Sequence, residues 1–199
     1  MSKYPPPHHL DHDKNNMIEV IKAYPLATVI SVHNNEPLVT HMPLIYRDID
    51  GKLIGHIDIY NPQTKLMRDD NEVTIIFSGP QCYISPSIYT TTQLPTWNYI
   101  KLHLKGSVKA IESKDALKES LIIMTEFLEQ PDQNYVLDAD NPRMDANLDY
   151  IKMFEITITN WEGKFKLSQD KNKRDIEAAK QELIRANQHN IEPFLNKVF

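Results

Sequence analysis

Glycine is scarce in this chain: Gly51, Gly55, Gly79, Gly106 and Gly163 are its only five, and they stand too far apart to write a G-x-G-x-x-G dinucleotide fingerprint or a G-x-x-x-x-G-K phosphate loop. Rossmann-type and Walker-type nucleotide binding are therefore excluded. Cysteine is scarcer still. Cys82 stands alone, which rules out an intramolecular disulfide, a cysteine-rich zinc site and a C-x-x-C redox pair, and fits a reducing compartment. No apolar run approaches the roughly 18 residues of a membrane span. The stretch from Met1 to Asp13, with Pro5, Pro6, Pro7, His8, His9 and His12, has no apolar signal core either. The expectation is a cytoplasmic protein without a membrane segment. Positive charge is also short: 22 Lys plus Arg face 27 Asp plus Glu, a net charge of −5, with no basic run of five or more. That balance argues against general nucleic-acid binding, a local patch or a dimer groove aside.

What is present suits a mainly β chain with flanking α-helices. With 199 residues, 41% of them hydrophobic, and no internal repeat, the whole chain 1–199 reads as a single domain with a flexible N-terminal segment over 1–12 and a C-terminal helical segment over 170–199. Asp13 can cap a short helix through Met17, Ile18 and Ile21 that ends before Tyr24 and Pro25. A meander follows: Leu26 to Val32, a turn at Asn34 and Asn35, Leu38 to Tyr46, a turn at Asp50 and Gly51, then Lys52 to Ile59. From Trp97 to Ile111, Ile100, Leu102, Leu104, Val108 and Ala110 share one side and Tyr99, Lys101, His103, Lys105 and Lys109 the other, as in a half-buried strand. Phe154, Ile156 and Ile158 alternate with Glu155, Thr157 and Thr159, and Glu162 and Gly163 suggest a turn into Lys164 to Leu167, a late hairpin. With Glu72 to Ser78 and Tyr83 to Ser85 added, six or more antiparallel strands favour a closed barrel, because closure removes exposed edges. Ser113 caps a helix carrying Leu117, Leu121, Met124 and Leu128, which Pro131 ends. The Asp-rich stretch Pro131 to Tyr150 reads as a surface loop, the calcium alternative lacking the EF-hand ligand pattern. A last amphipathic helix, Asp175 to Asn187, presents Ile176, Ala179, Leu183 and Ala186 to the barrel or to a partner chain.

Three stretches could carry chemistry. In Gly55-His56-Ile57-Asp58-Ile59-Tyr60-Asn61-Pro62, a strand runs into a helix start, with Asn61 as N-cap and Pro62 at the first position. The amides of Gln63, Thr64 and Lys65, the Thr64 hydroxyl and the Lys65 ammonium could hold a phosphate there, or the segment is an ordinary capped helix. Ser85 and Ser87 could donate to a phosphate or a ring edge, although serines beside prolines are commonly turn formers. Pro95-Thr96-Trp97-Asn98-Tyr99 sets a large apolar plane beside amide and hydroxyl groups, which suits an aromatic ligand or an interface. His8, His9 and His12 as metal ligands, Cys82 as a nucleophile and His41 or His103 as acid-base groups were weighed against incidental or structural roles. No catalytic triad can be argued from spacing.

Thr40-His41-Met42-Pro43, Gly55-His56 with Asn61-Pro62, Gly79-Pro80 with Tyr83-Ile84-Ser85-Pro86-Ser87, Pro95-Thr96-Trp97-Asn98-Tyr99 with His103 and Gly106, and Glu162-Gly163-Lys164-Phe165-Lys166-Leu167-Ser168-Gln169 together resemble the PaiB family of FMN-binding negative transcriptional regulators. The resemblance spans nearly the whole chain. It implies a split β-barrel like that of pyridoxamine phosphate oxidase, assembled as a homodimer with FMN between the subunits. On that resemblance the helix start at Asn61, with Gln63, Thr64 and Lys65, is the phosphate site. Thr40, His41, Met42, Pro43 and His56 line the flavin. Ser85, Ser87 and Thr96 are further binding residues, and Trp97, Asn98 and Tyr99, with Lys166 and Gln169, are binding residues near the dimer seam. The chain departs from the family at Ile88 to Leu94 and at Asp170, where the family commonly has asparagine.

Three functions follow from the resemblance: an FMN protein passing electrons between a reduced nicotinamide and a small-molecule substrate, a flavin sensor reporting to a partner, and a regulator acting directly on DNA. The basic face of Lys101, Lys105 and Lys109 is interrupted by apolar neighbours and gives the last little support. In the first, the cofactor does the redox chemistry and the protein orients it.

Overall fold

The computed structural model describes residues 4–188 and 195–196. The remaining positions of the expected segments 1–12 and 170–199 lie outside the described residues. Seven antiparallel strands dominate: β1 (Leu10–Asp11), β2 (Leu26–His33), β3 (Glu36–Arg47), β4 (Lys52–Asp58), β5 (Glu72–Ile84), β6 (Thr96–Ile111) and β7 (Ile151–Lys166). Four helices accompany them: α1 (Lys14–Ala23), α2 (Lys114–Leu128), α3 (Pro142–Asn147) and α4 (Lys173–Asn187). The strand order is β1-β7-β4-β3-β2-β5-β6, and β6 also pairs with β7, so the sheet closes on itself into a barrel. A mainly β barrel with flanking helices is thus the observed class.

The turns that set the register are those the sequence marks. Asn34 and Asn35 take positive φ of 51° and 64°, the pair of left-handed residues that a two-residue hairpin needs, and Thr28 consequently lies opposite His41 and Ile30 opposite Val39. Gly51, at φ 72°, turns β3 into β4, where Leu44 meets Gly55. Gly55 is required by crowding instead: a Cβ there would collide with Leu44 and stand 2.7 Å from Phe154 Cζ.

The chain divides into two compact units. The larger comprises residues 14–77 and 102–161. Ala27, Val29, Leu44, Leu53, Ile75, Leu104 and Ile156 are buried at alternate strand positions, as expected of one barrel face. On its helical side, Leu117 and Met124 of α2, and Met144 of α3 with Leu148, cluster with Ile45, Ile54 and Met153. The smaller unit comprises 1–13, 78–101 and 162–199, where Cys82 and Ile84 of β5 cluster with Ala179 of α4, flanked by Ile88, Tyr89, Leu183 and Ala186. This is the face of the last helix that the periodicity marked.

Three local expectations are corrected. Glu162-Gly163 is no turn: β7 runs unbroken to Lys166, because Gly163 is extended backbone paired opposite Asp11. The stretch 131–150 is not wholly loop, since Asn141 caps α3 through Arg143 and Met144 and turns Met144 into the core. The N-terminal segment, expected to be flexible, is pinned where Leu10 pairs with Lys164; Pro5, Pro6 and Pro7 lower the entropy lost in holding it there.

Candidate functional site

In the larger unit, β3 and the segment after β4 come together through one hydrogen bond: Asn61 Nδ2 donates to Thr40 Oγ1 at 3.0 Å. Asn61 Oδ1 accepts from the Gln63 amide at 2.9 Å. The cap is therefore real, but what it starts is a five-residue 3-10 helix, Pro62–Leu66, not an α-helix. The macrodipole of a long helix does not arise there, which corrects the physical basis expected for phosphate binding. Thr64 donates its hydroxyl to the Asp58 carbonyl at 2.7 Å, and Lys65 is exposed. Gln63 turns inward: 1% exposed, it donates to Ser31 Oγ and the Val29 carbonyl at 2.9 and 3.1 Å, and its Oε1 is buried without a hydrogen-bond partner among the described residues.

On β3, Met42 is buried and Pro43 half-buried, while His41 is exposed with its Nδ1 2.9 Å from Thr28 Oγ1. His56 faces α2. The Ser120 hydroxyl donates to the Leu117 carbonyl at 2.8 Å, so it accepts from His56 Nε2 at 2.8 Å, and burial pushes this imidazole down to about 4. His56 is neutral at pH 7 and spends its donor on a helix.

The smaller unit holds an open cavity of about 280 Å³. Three of the expected residues line it: Thr96, Asn98 and Lys166. Lys166 Nζ donates to Thr96 Oγ1 at 2.6 Å. Asn98, 1% exposed because it sits on the buried side of β6, is held by Ser168, with Nδ2 donating to Ser168 Oγ at 3.0 Å. Tyr89 Oη lies 2.8 Å from the same Oγ. His8, His9, Gln93, Leu94, Pro95, Asp170 and Lys171 complete the wall.

The other expected residues of this unit do not line the cavity. Ser85 Oγ accepts from the Ser87 amide at 3.3 Å and caps a turn. Gln169 folds onto its own loop, accepting from the Leu167 amide at 2.7 Å and donating to the Phe165 carbonyl. Trp97, 49% exposed, stands with its ring 6.4 Å from that of Tyr83, and Tyr99 lies 5.3 Å from Lys164 Nζ. Lys164 is the residue that sequence reasoning passed over. Only 7% exposed, it donates to Tyr4 Oη at 2.6 Å and sits 4.4 Å from that ring. Its sequence signal is its two-residue spacing from Lys166, which puts both ammonium groups on one side of β7.

A protein family described as "Putative FMN-binding domain" matches residues 3–160. Over 152 residues, 74% of this chain and 73% of the relative, the chain is 36% identical to the "Protease synthase and sporulation protein PAI 2" of Bacillus subtilis. The chain belongs to the PaiB family of FMN-binding proteins. FMN is the cofactor that goes with this family. Among solved structures, the FAD and heme binding protein from Mycobacterium smegmatis is similar at TM-score 0.66 and 18% identity, covering 85% of this chain and 80% of that one. The flavocytochrome Anf3 from Azotobacter vinelandii follows at TM-score 0.64 and 15% identity, covering 85% and 75%. These likenesses concern the fold, which is the split β-barrel. The residue types of this PaiB-family chain fit a flavin mononucleotide chemically, since an ammonium donor such as Lys65 and an aromatic surface such as Trp97 are exposed. Among the described residues no helix is long and apolar enough to cross a membrane.

Proposed function

We propose that this chain is a cytoplasmic homodimeric flavoprotein that passes electrons between a reduced nicotinamide and a small acceptor, in association with transcriptional regulation. The observation that carries the reading is the junction of Thr40 with Asn61, which sets the Thr64 and Lys65 segment beside β3 within the PaiB-family motifs. When bound, FMN supplies the redox chemistry. The chain's own part is to bind and orient: the exposed Lys65 ammonium holds the phosphate end, Asn61 and Thr64 shape the segment that presents it, and Thr40, His41, Met42 and Pro43 line the ring from β3. Trp97 and Tyr99 offer aromatic surface. His56, committed to Ser120, steadies β4 against α2 and makes no cofactor contact.

The homodimer is supported by an unpartnered sheet face. Leu26 and Val32 of β2 and Val39 of β3 are 63%, 64% and 53% exposed, and Ile30 lies opposite Val39 on the same side. Contiguous exposed apolar surface of this kind suits association.

Absorbance and fluorescence titration with FMN, run beside size-exclusion chromatography with light scattering, tests the reading. Saturable binding at one FMN per subunit of a dimer is expected, with weaker binding in Trp97→Ala, followed by oxidation of reduced nicotinamide in steady state. A folded protein that takes up no FMN removes the reading, and FMN binding without turnover removes the electron-transfer part in favour of a sensor.

A further inference from the structure

Two lysines of the smaller unit, Lys164 and Lys166, spend their hydrogen bonds on neutral partners. Lys164 is 93% removed from solvent by its 7% exposure, yet its hydrogen bond goes to a neutral phenol, Tyr4 Oη, and its nearest charge-stabilising surfaces are the rings of Tyr4 and Tyr99. Lys166, two residues on, donates to a neutral hydroxyl, Thr96 Oγ1. His9 feels both lysines and His8 as well. Burial, then His8, Lys166 and Lys164, hold its imidazole below the ordinary 6.5, with Asp170 the one acidic group acting against them. Asp170 itself is engaged by Lys171 at 2.7 Å. An ammonium whose hydrogen bond goes to a neutral hydroxyl, on the wall of a cavity that His8, His9 and Lys171 also line, marks a place that an anion would complete.

We propose that the 280 Å³ cavity binds a small organic anion, a carboxylate or phosphate monoester, with its charge against Lys166 and its carbon skeleton against Tyr89, Leu94 and Pro95. The cavity is at the small end of the range for ligand pockets, roughly 300 Å³ and upward, so it suits a compact substrate and not a whole flavin nucleotide. Lys164 does not line the cavity and supplies field, not contact. The anion site stands on this geometry alone.

Calorimetric titration of the FMN-loaded protein with inorganic phosphate and with benzoate tests the site, with NMR of the His9 imidazole as second readout. Saturable binding is expected, together with a His9 titration moved to higher pH by the added negative charge. Lys166→Met should weaken binding at least about tenfold, the worth of a charge-assisted hydrogen bond, and Lys166→Arg should restore it. Lys164→Gln should weaken it less; if that variant fails to fold, Lys166→Met alone decides. Wild-type protein that binds neither anion, or equal affinity in Lys166→Met, overturns the proposal. Displacement of phosphate by FMN but not by riboflavin would assign the site to the flavin's own phosphate and overturn a separate ligand. The same titrations on flavin-free protein separate the two readings: anion binding without FMN binding removes only the flavoprotein, and FMN binding without anion binding removes only this site.

Discussion

The two units of the molecule are held by different forces. The larger unit is built on an apolar core: Phe154, Leu44, Leu53, Ile75 and Ile156 are wholly buried, and Arg47 and Lys52 share Glu155 at 2.8 Å each. The smaller unit buries polar side chains in quantity, with Asn98, Lys164, Ser168 and Asp175 all under 9% exposed. Its centre is a set of hydrogen bonds. Asp175, with no exposed surface, accepts from the Thr90 amide at 2.7 Å and from the Thr90 hydroxyl at 2.8 Å, and Asn172 Nδ2 donates to its other oxygen at 2.9 Å. Apolar packing tolerates many sequences and gives stability; a satisfied polar network tolerates few and gives a fixed shape.

The largest expected effect breaks the apolar side of this comparison. Phe154→Ala should cost about 3–5 kcal/mol in urea unfolding, the range for a fully buried aromatic; a much smaller loss would mean that the barrel is loosely packed. Next is acid. His56 is neutral in the fold with a value of about 4 against an ordinary 6.5, so its contribution is complete above about pH 6.5 and is lost as pH falls toward 4. That loss is on the order of 3 kcal/mol, visible as a falling Tm, and His56→Gln should flatten the slope over this window.

A smaller effect is expected at the cap. Asn61→Ala should cost about 1 kcal/mol and weaken FMN binding while leaving phosphate binding by the smaller unit unchanged. The most local change is expected of Asp175→Asn, whose amide NH2 would face the Thr90 and Asn172 donors. Burial would raise the Asp175 carboxyl, but hydrogen bonds from Thr90, Asn172 and Thr91 outweigh it and hold it below the ordinary carboxylate value. The carboxylate is thus in place above about pH 4, and the hold is released only as pH falls below its ordinary range. Hydrogen exchange should show the Thr90 amide losing protection in the variant, with β2 and β3 amides unaffected; unchanged protection at Thr90 would show that the loop is held by something else.

Local signals were legible in the sequence and long-range ones were not. The Asn34-Asn35 turn, the alternation of β6, the Ser113 cap and the apolar face of α4 all follow from neighbours within a few residues. The Asn141-Pro142 start of α3 was legible too, by the rule already applied at Asn61-Pro62, but the run of aspartates around it pointed to loop. Gly163 misled because a glycine after a glutamate reads as a turn unless its partner strand is known, and that partner, Asp11, is far away in sequence. The site divided in the same way. Thr96, Asn98 and Lys166 were expected at a flavin and share the wall of one cavity, whereas His8 and His9 reach that cavity only because β1 pairs with β7, a fact no local pattern contains. The role of Gln63 was hidden for the opposite reason: its type suggests a surface donor, and only the tertiary fold shows it spent on Ser31.

The pairing of Leu10 with Lys164 also has a consequence for synthesis of the protein. The two residues that β1 brings to the cavity wall are synthesised well before the lysines they face. No nascent chain can possess this cavity until translation has passed Lys171, and the closure of so long a loop makes its assembly a late event in folding. A molecule able to bind the small anion is therefore a molecule whose synthesis has run through both ends of the site, so that occupancy reports completeness of the fold as well as the presence of ligand.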